Sequence, residues 1–341
     1  MNTQESINTG KLIVSLAEGQ VLDSKTSEQL FNSVFSGEVS DIELSAILVA
    51  MKQRKESAAE IAGAARSMRR FASRIELEGA ETFDTCGTGG DGSHSFNISS
   101  AVALILSSMG IGITKHGNRS VSSNSGSADF LEALGIPINL TGAEAGDYFS
   151  RHNFIFLFAP NYHPAMKYAM PVRKKLAMRT IFNYLGPITN PAFPRRQMIG
   201  VFSPHFLPLY AEVVSQMDYD RVLLYSARNG MDEISPLEPT LVYDVRGERI
   251  THFCIDPSRY IDPAEADSLP SHLSPEGNAG IFLETAKGKG PDVLNRLLAM
   301  NTALALYAME RGGDFDSCYR EALDFITSGR VYGKVRELQE G

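Results

Sequence analysis

The run Asp84-Thr-Cys-Gly-Thr-Gly-Gly-Asp-Gly92 puts four glycines in six positions and leads into Ser93-His-Ser-Phe-Asn-Ile-Ser-Ser100. Glycine lets a backbone turn sharply and aim successive N–H groups at one point, so such a loop can hold an anion without a lysine. A helical pattern begins near Asn97, and its unpaired N–H groups and positive dipole end face the same space. The chemistry suggested is phosphate binding. Gly87-x-Gly89-x-x-Gly92 also fits the dinucleotide fingerprint, which wants its third glycine in the opening of the helix and an acid about 20 residues on. Here the helical pattern starts later and Gly110 to Gly117 holds no acid. Lys115 would suit a 2′-phosphate, so an NADP oxidoreductase stays a rival. A purely structural turn seldom needs four glycines plus Asp91.

A second polar cluster follows, Lys115-His-Gly-Asn-Arg-Ser-Val-Ser-Ser-Asn-Ser-Gly-Ser-Ala-Asp129, with two cations, amides and a crowd of hydroxyls. Strand-like runs at 82–86, 111–114, 154–158, 199–202, 221–225 and 241–245 alternate with helical ones, among them 98–109 and 127–134, which predicts βαβ units and a mainly parallel sheet. In such a sheet the loops at the carboxyl ends of the strands line one crevice, so both clusters should face it. Residues 3–74 read differently. Leu12, Ile13 and Leu16, then Leu30, Phe31, Val34 and Phe35, then Ile42, Ala46, Ile47, Ala50 and Met51 recur at helical spacing. Ser40/Glu43 and Ser57/Glu60 form capping boxes. Further helical runs at 294–310 and 319–326 finish the chain. The expected organisation is α/β: a small all-helical N-terminal domain (1–78), joined by a returning segment (about 163–193), and a larger α/β domain with a mainly parallel sheet (79–162 and 194–341).

The 341 residues carry 32 Lys+Arg against 40 Asp+Glu, a net charge of −8. That excess of acid argues against a chain built to bind nucleic acid or an anionic membrane, which both demand a positive field. No apolar stretch approaches the roughly 20 residues that span a bilayer. Three widely separated cysteines, Cys86, Cys254 and Cys318, form neither a disulfide framework nor a metal-binding pair. A cytoplasmic protein is expected.

Taken together, the two clusters closely resemble those of the anthranilate phosphoribosyltransferase family. The likeness continues through Phe158-Ala-Pro-x-x-His163-Pro-Ala-Met, Pro171-Val-Arg173, Arg179-Thr-x-Phe-Asn183-x-x-Gly-Pro187-x-x-Asn-Pro191 and Gly230-Met-Asp-Glu-Ile-Ser235. The resemblance implies the nucleoside phosphorylase and phosphoribosyltransferase type of fold. It also implies Mg²⁺-dependent transfer of phosphoribose from 5-phosphoribosyl 1-pyrophosphate to the amine of anthranilate, a step of tryptophan biosynthesis, in a homodimer formed through the helical domain. It assigns phosphoribosyl pyrophosphate to Gly87, Thr88, Gly89, Gly90, Asp91, Ser95, Asn97, Ser99, Ser100, Lys115, Ser122, Ser123 and Ser127. Two Mg²⁺ ions fall to Ser99, Asp232 and Glu233; on their own, adjacent acids would read as a solvated loop.

For anthranilate the same resemblance implies Gly87, Asn118, His163 and Arg173, with Met166 and Tyr168 walling the ring and Arg179 a second-choice anion contact. A guanidinium grips a carboxylate through two parallel N–H bonds. Read singly, His163 before Pro164 is a helix-start or surface residue and Arg173 part of a basic helix face. No residue is expected to act as acid or base. His116 reads as a structural or ligand-positioning residue and Cys86 as a packed small residue rather than a nucleophile. Asn124 and Pro236-Leu-Glu-Pro239 depart from the family pattern. The rivals are a pyrimidine nucleoside phosphorylase-like enzyme and a phosphosugar- or nucleic-acid-binding relative without turnover.

Overall fold

The computed structural model describes residues 8–77, 79–89, 96–120 and 125–340. Helices α1 (Thr9–Ala17), α2 (Ser24–Ser36), α3 (Asp41–Arg54) and α4 (Ala58–Arg70) open the chain. Both capping boxes form: each serine accepts the glutamate N–H three residues on, and each glutamate reaches back to the cap backbone. A cap of this kind is worth about 1 kcal/mol. Glu60 is also buried and takes the Leu22 N–H at 3.0 Å, tying the α1–α2 loop to α4. Leu30, Phe31, Val34 and Phe35 are buried as their spacing predicts. In α3 the buried face is Leu44, Ile47, Leu48 and Met51. Ile42, expected among them, points outward and is 83% exposed, because two residues before Leu44 it falls on the opposite face of the helix.

The sheet has seven strands: β1 (Phe83–Asp84), β2 (Ile113–Gly117), β3 (Phe154–Phe158), β4 (Arg196–Gly200), β5 (Arg221–Ala227), β6 (Thr240–Arg246) and β7 (Arg249–Ile255). Their order is β3-β2-β1-β4-β5-β6-β7. The first five are parallel, and β6 and β7 run antiparallel at one edge. Helix α5 (Ile98–Ser108) connects β1 to β2, and α6 (Ser127–Ala133) follows β2. Strand β7 escapes the sequence reading because it is an outer, largely exposed edge with no apolar alternation. It follows β6 through a two-residue turn at Gly247-Glu248, where glycine takes φ +56°.

From β1 the chain steps outward to β2 and β3, then returns to place β4 on the other side of β1. Strand order therefore reverses between β1 and β4, and that switch point is where an open α/β sheet leaves a crevice. The return path, residues 164–188, lies against three of the opening helices: Pro164–Tyr168 on α2, Met170–Leu176 on α3 and Phe182–Leu185 on α4. The helical core continues through this segment onto one sheet face at Ile199, Val201, Val222 and Leu224. Among the described residues no helix is long and apolar enough to cross a membrane.

Candidate active site at the switch point

Three loops meet at the carboxyl ends of β1, β4 and β5. Strand β4 ends at Gly200, where a Cβ would overlap the Asp232 carbonyl, so only glycine lets the β5 loop come this close. A Cβ on Gly87 would stand 3.0 Å from the Asp232 carboxylate. Thr88 donates its N–H to the Gly200 carbonyl at 2.9 Å, and its hydroxyl accepts the Phe202 N–H at 3.0 Å. Gly89, at φ +64°, donates its N–H to Asp232 Oδ2 at 2.7 Å. The amides of Thr88 and Gly89 are thus already bonded within the protein, and they hold the loop rather than stand open. Gly90, Asp91 and Ser95 lie outside the described residues.

Glu233 is buried beside Asp232. Its Oε1 accepts the Ser99 N–H at 3.0 Å, in the first turn of α5, and its Oε2 accepts the Tyr225 hydroxyl at 3.2 Å. Burial, then the like charge of Asp232, push its carboxyl up to about 8. Lys115 opposes that rise and is itself buried, donating to the Thr85 carbonyl at 3.2 Å and to Ser99 Oγ at 3.5 Å. Two acids beside one ammonium form a spot where a further cation would favour the ionised form of Glu233. Asp232, Glu233 and Ser99 supply hard oxygen donors there, which fits a divalent cation such as Mg²⁺. Among the described residues no three His, Cys, Asp or Glu side chains gather as a metal cage.

Successive residues of a strand face opposite sides. Lys115 therefore turns to α5, while His116 turns the other way, with Nδ1 3.2 Å from the Gly186 carbonyl and its ring edge-to-face with His163 at 5.2 Å. Burial pushes His163 down to about 4 and His116 well below its usual range, so both rings are neutral near pH 7. Asp84 links these strands: it accepts the His116 N–H at 3.2 Å, Asn190 Nδ2 at 2.8 Å and Gln197 Nε2 at 3.3 Å, and burial raises its carboxyl to about 6. Asp84, Asn190, Gln197 and Tyr225 carry no signal of their own in the sequence, although Asp84 and Asn190 stand within the motifs given above.

The second loop closes on itself. Asn97 caps α5 without a side-chain bond to the helix; its amide instead donates to the Ser125 carbonyl at 3.1 Å and accepts the Ser125 hydroxyl at 2.8 Å. Ser127 exchanges hydrogen bonds with the backbone of Asn118, and Asn118 is exposed. Arg119 is paired with Asp129 and Glu132, both at 2.8 Å. Ser100 is buried in the first turn of α5. Ser122, Ser123 and Asn124 lie outside the described residues. The Pro236–Pro239 departure leaves the two acids in place: the Ser235 hydroxyl accepts the Leu237 and Glu238 N–H groups and turns the loop outward.

Within the returning helical segment, Arg173 lies over the Phe182 ring at 5.4 Å and is half-buried, with no carboxylate partner among the described residues. Burial pulls its guanidinium below the usual range. A desolvated cation without a counter-ion is primed for an anionic ligand. His163 borders a narrow cleft with Phe35, Met68, Phe71, Ala165 and Met166, which has no room for a water molecule. Tyr168 is not in that cleft; its ring packs over Gly37 at the end of α2, where a Cβ would lie 2.6 Å from it. Arg179 stacks on Phe202 at 3.7 Å, beside the residue that the glycine loop anchors.

Cys86 is buried and its thiol is pushed up to about 12, by desolvation first and then the neighbouring carboxylates. A thiol so held is a poor nucleophile. Iodoacetamide at pH 7 should therefore label the exposed Cys254 and spare Cys86 in the folded protein, with turnover intact. Mass spectrometry showing Cys86 labelled as activity disappears would contradict this.

Residues 11–72 match the helical bundle domain, and residues 79–332 the a/b domain, of a glycosyl transferase family. The chain is 42% identical over 338 residues to the anthranilate phosphoribosyltransferase of Sulfurisphaera tokodaii, covering 98% of this chain and 95% of that protein. It is 38% identical over 328 residues to that of Pseudoalteromonas translucida, covering 96% and 92%. The crystal structure of the Thermus thermophilus anthranilate phosphoribosyltransferase superposes with a TM-score of 0.89 at 32% identity, covering 96% of this chain and 98% of that one. A Saccharomyces cerevisiae relative, solved with phosphoribosyl pyrophosphate and Mg, shares the fold at a TM-score of 0.85 and 24% identity, covering 99% and 98%.

Proposed function

The chain belongs to the anthranilate phosphoribosyltransferase family, and from that membership we propose that its crevice transfers phosphoribose from 5-phosphoribosyl 1-pyrophosphate to the amine of anthranilate, giving N-(5-phosphoribosyl)anthranilate and pyrophosphate in tryptophan biosynthesis. The observation that carries this reading is the meeting of the glycine loop, the start of α5 and the Asp232–Glu233 pair at the reversal of strand order. Asp232, Glu233 and Ser99 would hold Mg²⁺, which when bound offsets the charge of the pyrophosphate. The start of α5 and Lys115 face the same charge with a helix dipole and an ammonium. Anthranilate's amine is neutral at pH 7 and attacks without a base, which suits the neutral His116 and His163. Arg173 takes the acceptor's carboxylate. Catalysis is then chiefly alignment and leaving-group stabilisation.

The helical unit, 1–78 with the returning segment 163–193, closes over the α/β unit, 79–162 and 194–341, and excludes water from the activated sugar. The enzyme works in the cytoplasm, in keeping with free Cys86, Cys254 and Cys318. It is a homodimer formed through the helical unit, whose outer face exposes Val14 (57%), Ile42 (83%) and Val49 (45%). Ile42 and Val49 are one heptad apart and share a face of α3, so an isologous apolar contact is available. Ile42→Asp should give a monomer in light scattering, whereas an unchanged mass would move the interface elsewhere. The activity itself is tested by mixing protein, Mg²⁺, phosphoribosyl pyrophosphate and anthranilate: anthranilate fluorescence should fall, and no fall with folded protein would reject the reading.

A further inference from the structure

Tyr225 stands inside β5, 1% exposed, in register with Gly200 of β4, and its carbonyl accepts the Val201 N–H at 2.8 Å. The strand around it is apolar, with Leu223, Leu224 and Val242 fully buried. An aliphatic or phenyl side chain would serve packing there, whereas a buried phenol needs a partner for its hydroxyl. That partner is Glu233 Oε2 at 3.2 Å, while the other carboxylate oxygen takes the Ser99 N–H at 3.0 Å. Two donors, one on each oxygen, fix the carboxylate plane. One comes from a helix start and the other from a stiff ring set in the sheet, with only two side-chain torsions between backbone and ring.

We infer that Tyr225 is a positioning residue that holds Glu233 in one orientation for divalent-cation binding. The inference rests on the proposed metal role of Glu233. Partners that orient a ligating group without touching the metal are worth about 10–100-fold in metal affinity.

The test is Mn²⁺ binding in the presence of pyrophosphate, which involves no turnover, read as free Mn²⁺ by electron paramagnetic resonance. It compares the wild type, Tyr225→Phe, Glu233→Gln and the double variant. Tyr225→Phe should weaken Mn²⁺ binding about 10-fold, leave the KM for anthranilate unchanged, and add little in the Glu233→Gln background. The Glu233→Gln variant must itself lose affinity. If Tyr225→Phe binds Mn²⁺ like the wild type while Glu233→Gln does not, the inference is overturned and the metal reading stands. An undiminished Tyr225→Phe effect in the Glu233→Gln background overturns it too, because the tyrosine then acts through the strand. If Glu233→Gln binds as tightly as the wild type, both inference and metal reading fall.

Discussion

The double substitution Asp232→Asn with Glu233→Gln should lower the Mg²⁺-dependent rate by on the order of 10²–10³-fold or more, the scale of losing a charge-stabilising element at a reacting centre. The same variant should melt no lower than the wild type in EDTA. Asn at 232 keeps an oxygen for the Gly89 N–H, and Gln at 233 keeps one for the Ser99 N–H and turns its amide to the Tyr225 oxygen. What disappears is a buried acid whose carboxyl is pushed up to about 8, by burial first and then by the Asp232 charge. An acid whose folded pKa lies above its unfolded value weakens the fold above that unfolded value, so at pH 7 the neutral amides remove a burden. Activity and stability thus part company. Steady-state kinetics over a Mg²⁺ titration, with circular-dichroism melting, measure both; near-normal Mg²⁺-dependent rates would refute the metal assignment.

Arg173→Gln should raise the KM for anthranilate about 10- to 100-fold, while the KM for phosphoribosyl pyrophosphate stays within about twofold. Hydrogen bonds to a charged group contribute about 1.5–3 kcal/mol, and each 1.4 kcal/mol is a factor of ten. The guanidinium is half-buried over Phe182 with no carboxylate of its own among the described residues, in keeping with the proposed role of gripping the acceptor's carboxylate. Gln keeps part of the stem's packing and removes the fork. Initial rates with each substrate varied in turn separate the two constants. An effect confined to the phosphosugar would move Arg173 to the other half of the crevice.

Much of this was legible because the motif residues keep to the loops that the βα alternation predicts. The glycine run follows β1, the Lys115 cluster spans the end of β2 and the loop after it, and the Asp-Glu pair follows β5. Less legible was what holds each residue. Lys115 and His116 are neighbours in sequence, yet strand alternation sends one to α5 and the other to the Gly186 carbonyl. Asn97 reads as a ligand contact and spends its amide on Ser125, a partner fixed only when the loop folds. Tyr168 reads as a wall of the acceptor slot and covers Gly37, because the chain turns back onto α2 there. Ile42 reads as core and is solvent-facing, since α3 offers two apolar stripes and the one that packs is that of Leu44, Ile47, Leu48 and Met51. Tyr225 looks like one more strand residue until Glu233 is seen above it. Such pairings join residues that local periodicity cannot connect.

The most direct measurement is stoichiometric: purified protein with Mg²⁺, phosphoribosyl pyrophosphate and anthranilate, following anthranilate fluorescence and pyrophosphate release together. One pyrophosphate should appear for each anthranilate consumed, with neither change when Mg²⁺ or either substrate is withheld. Folded protein that leaves anthranilate untouched, or that cleaves a pyrimidine nucleoside with inorganic phosphate and no Mg²⁺, would contradict the account.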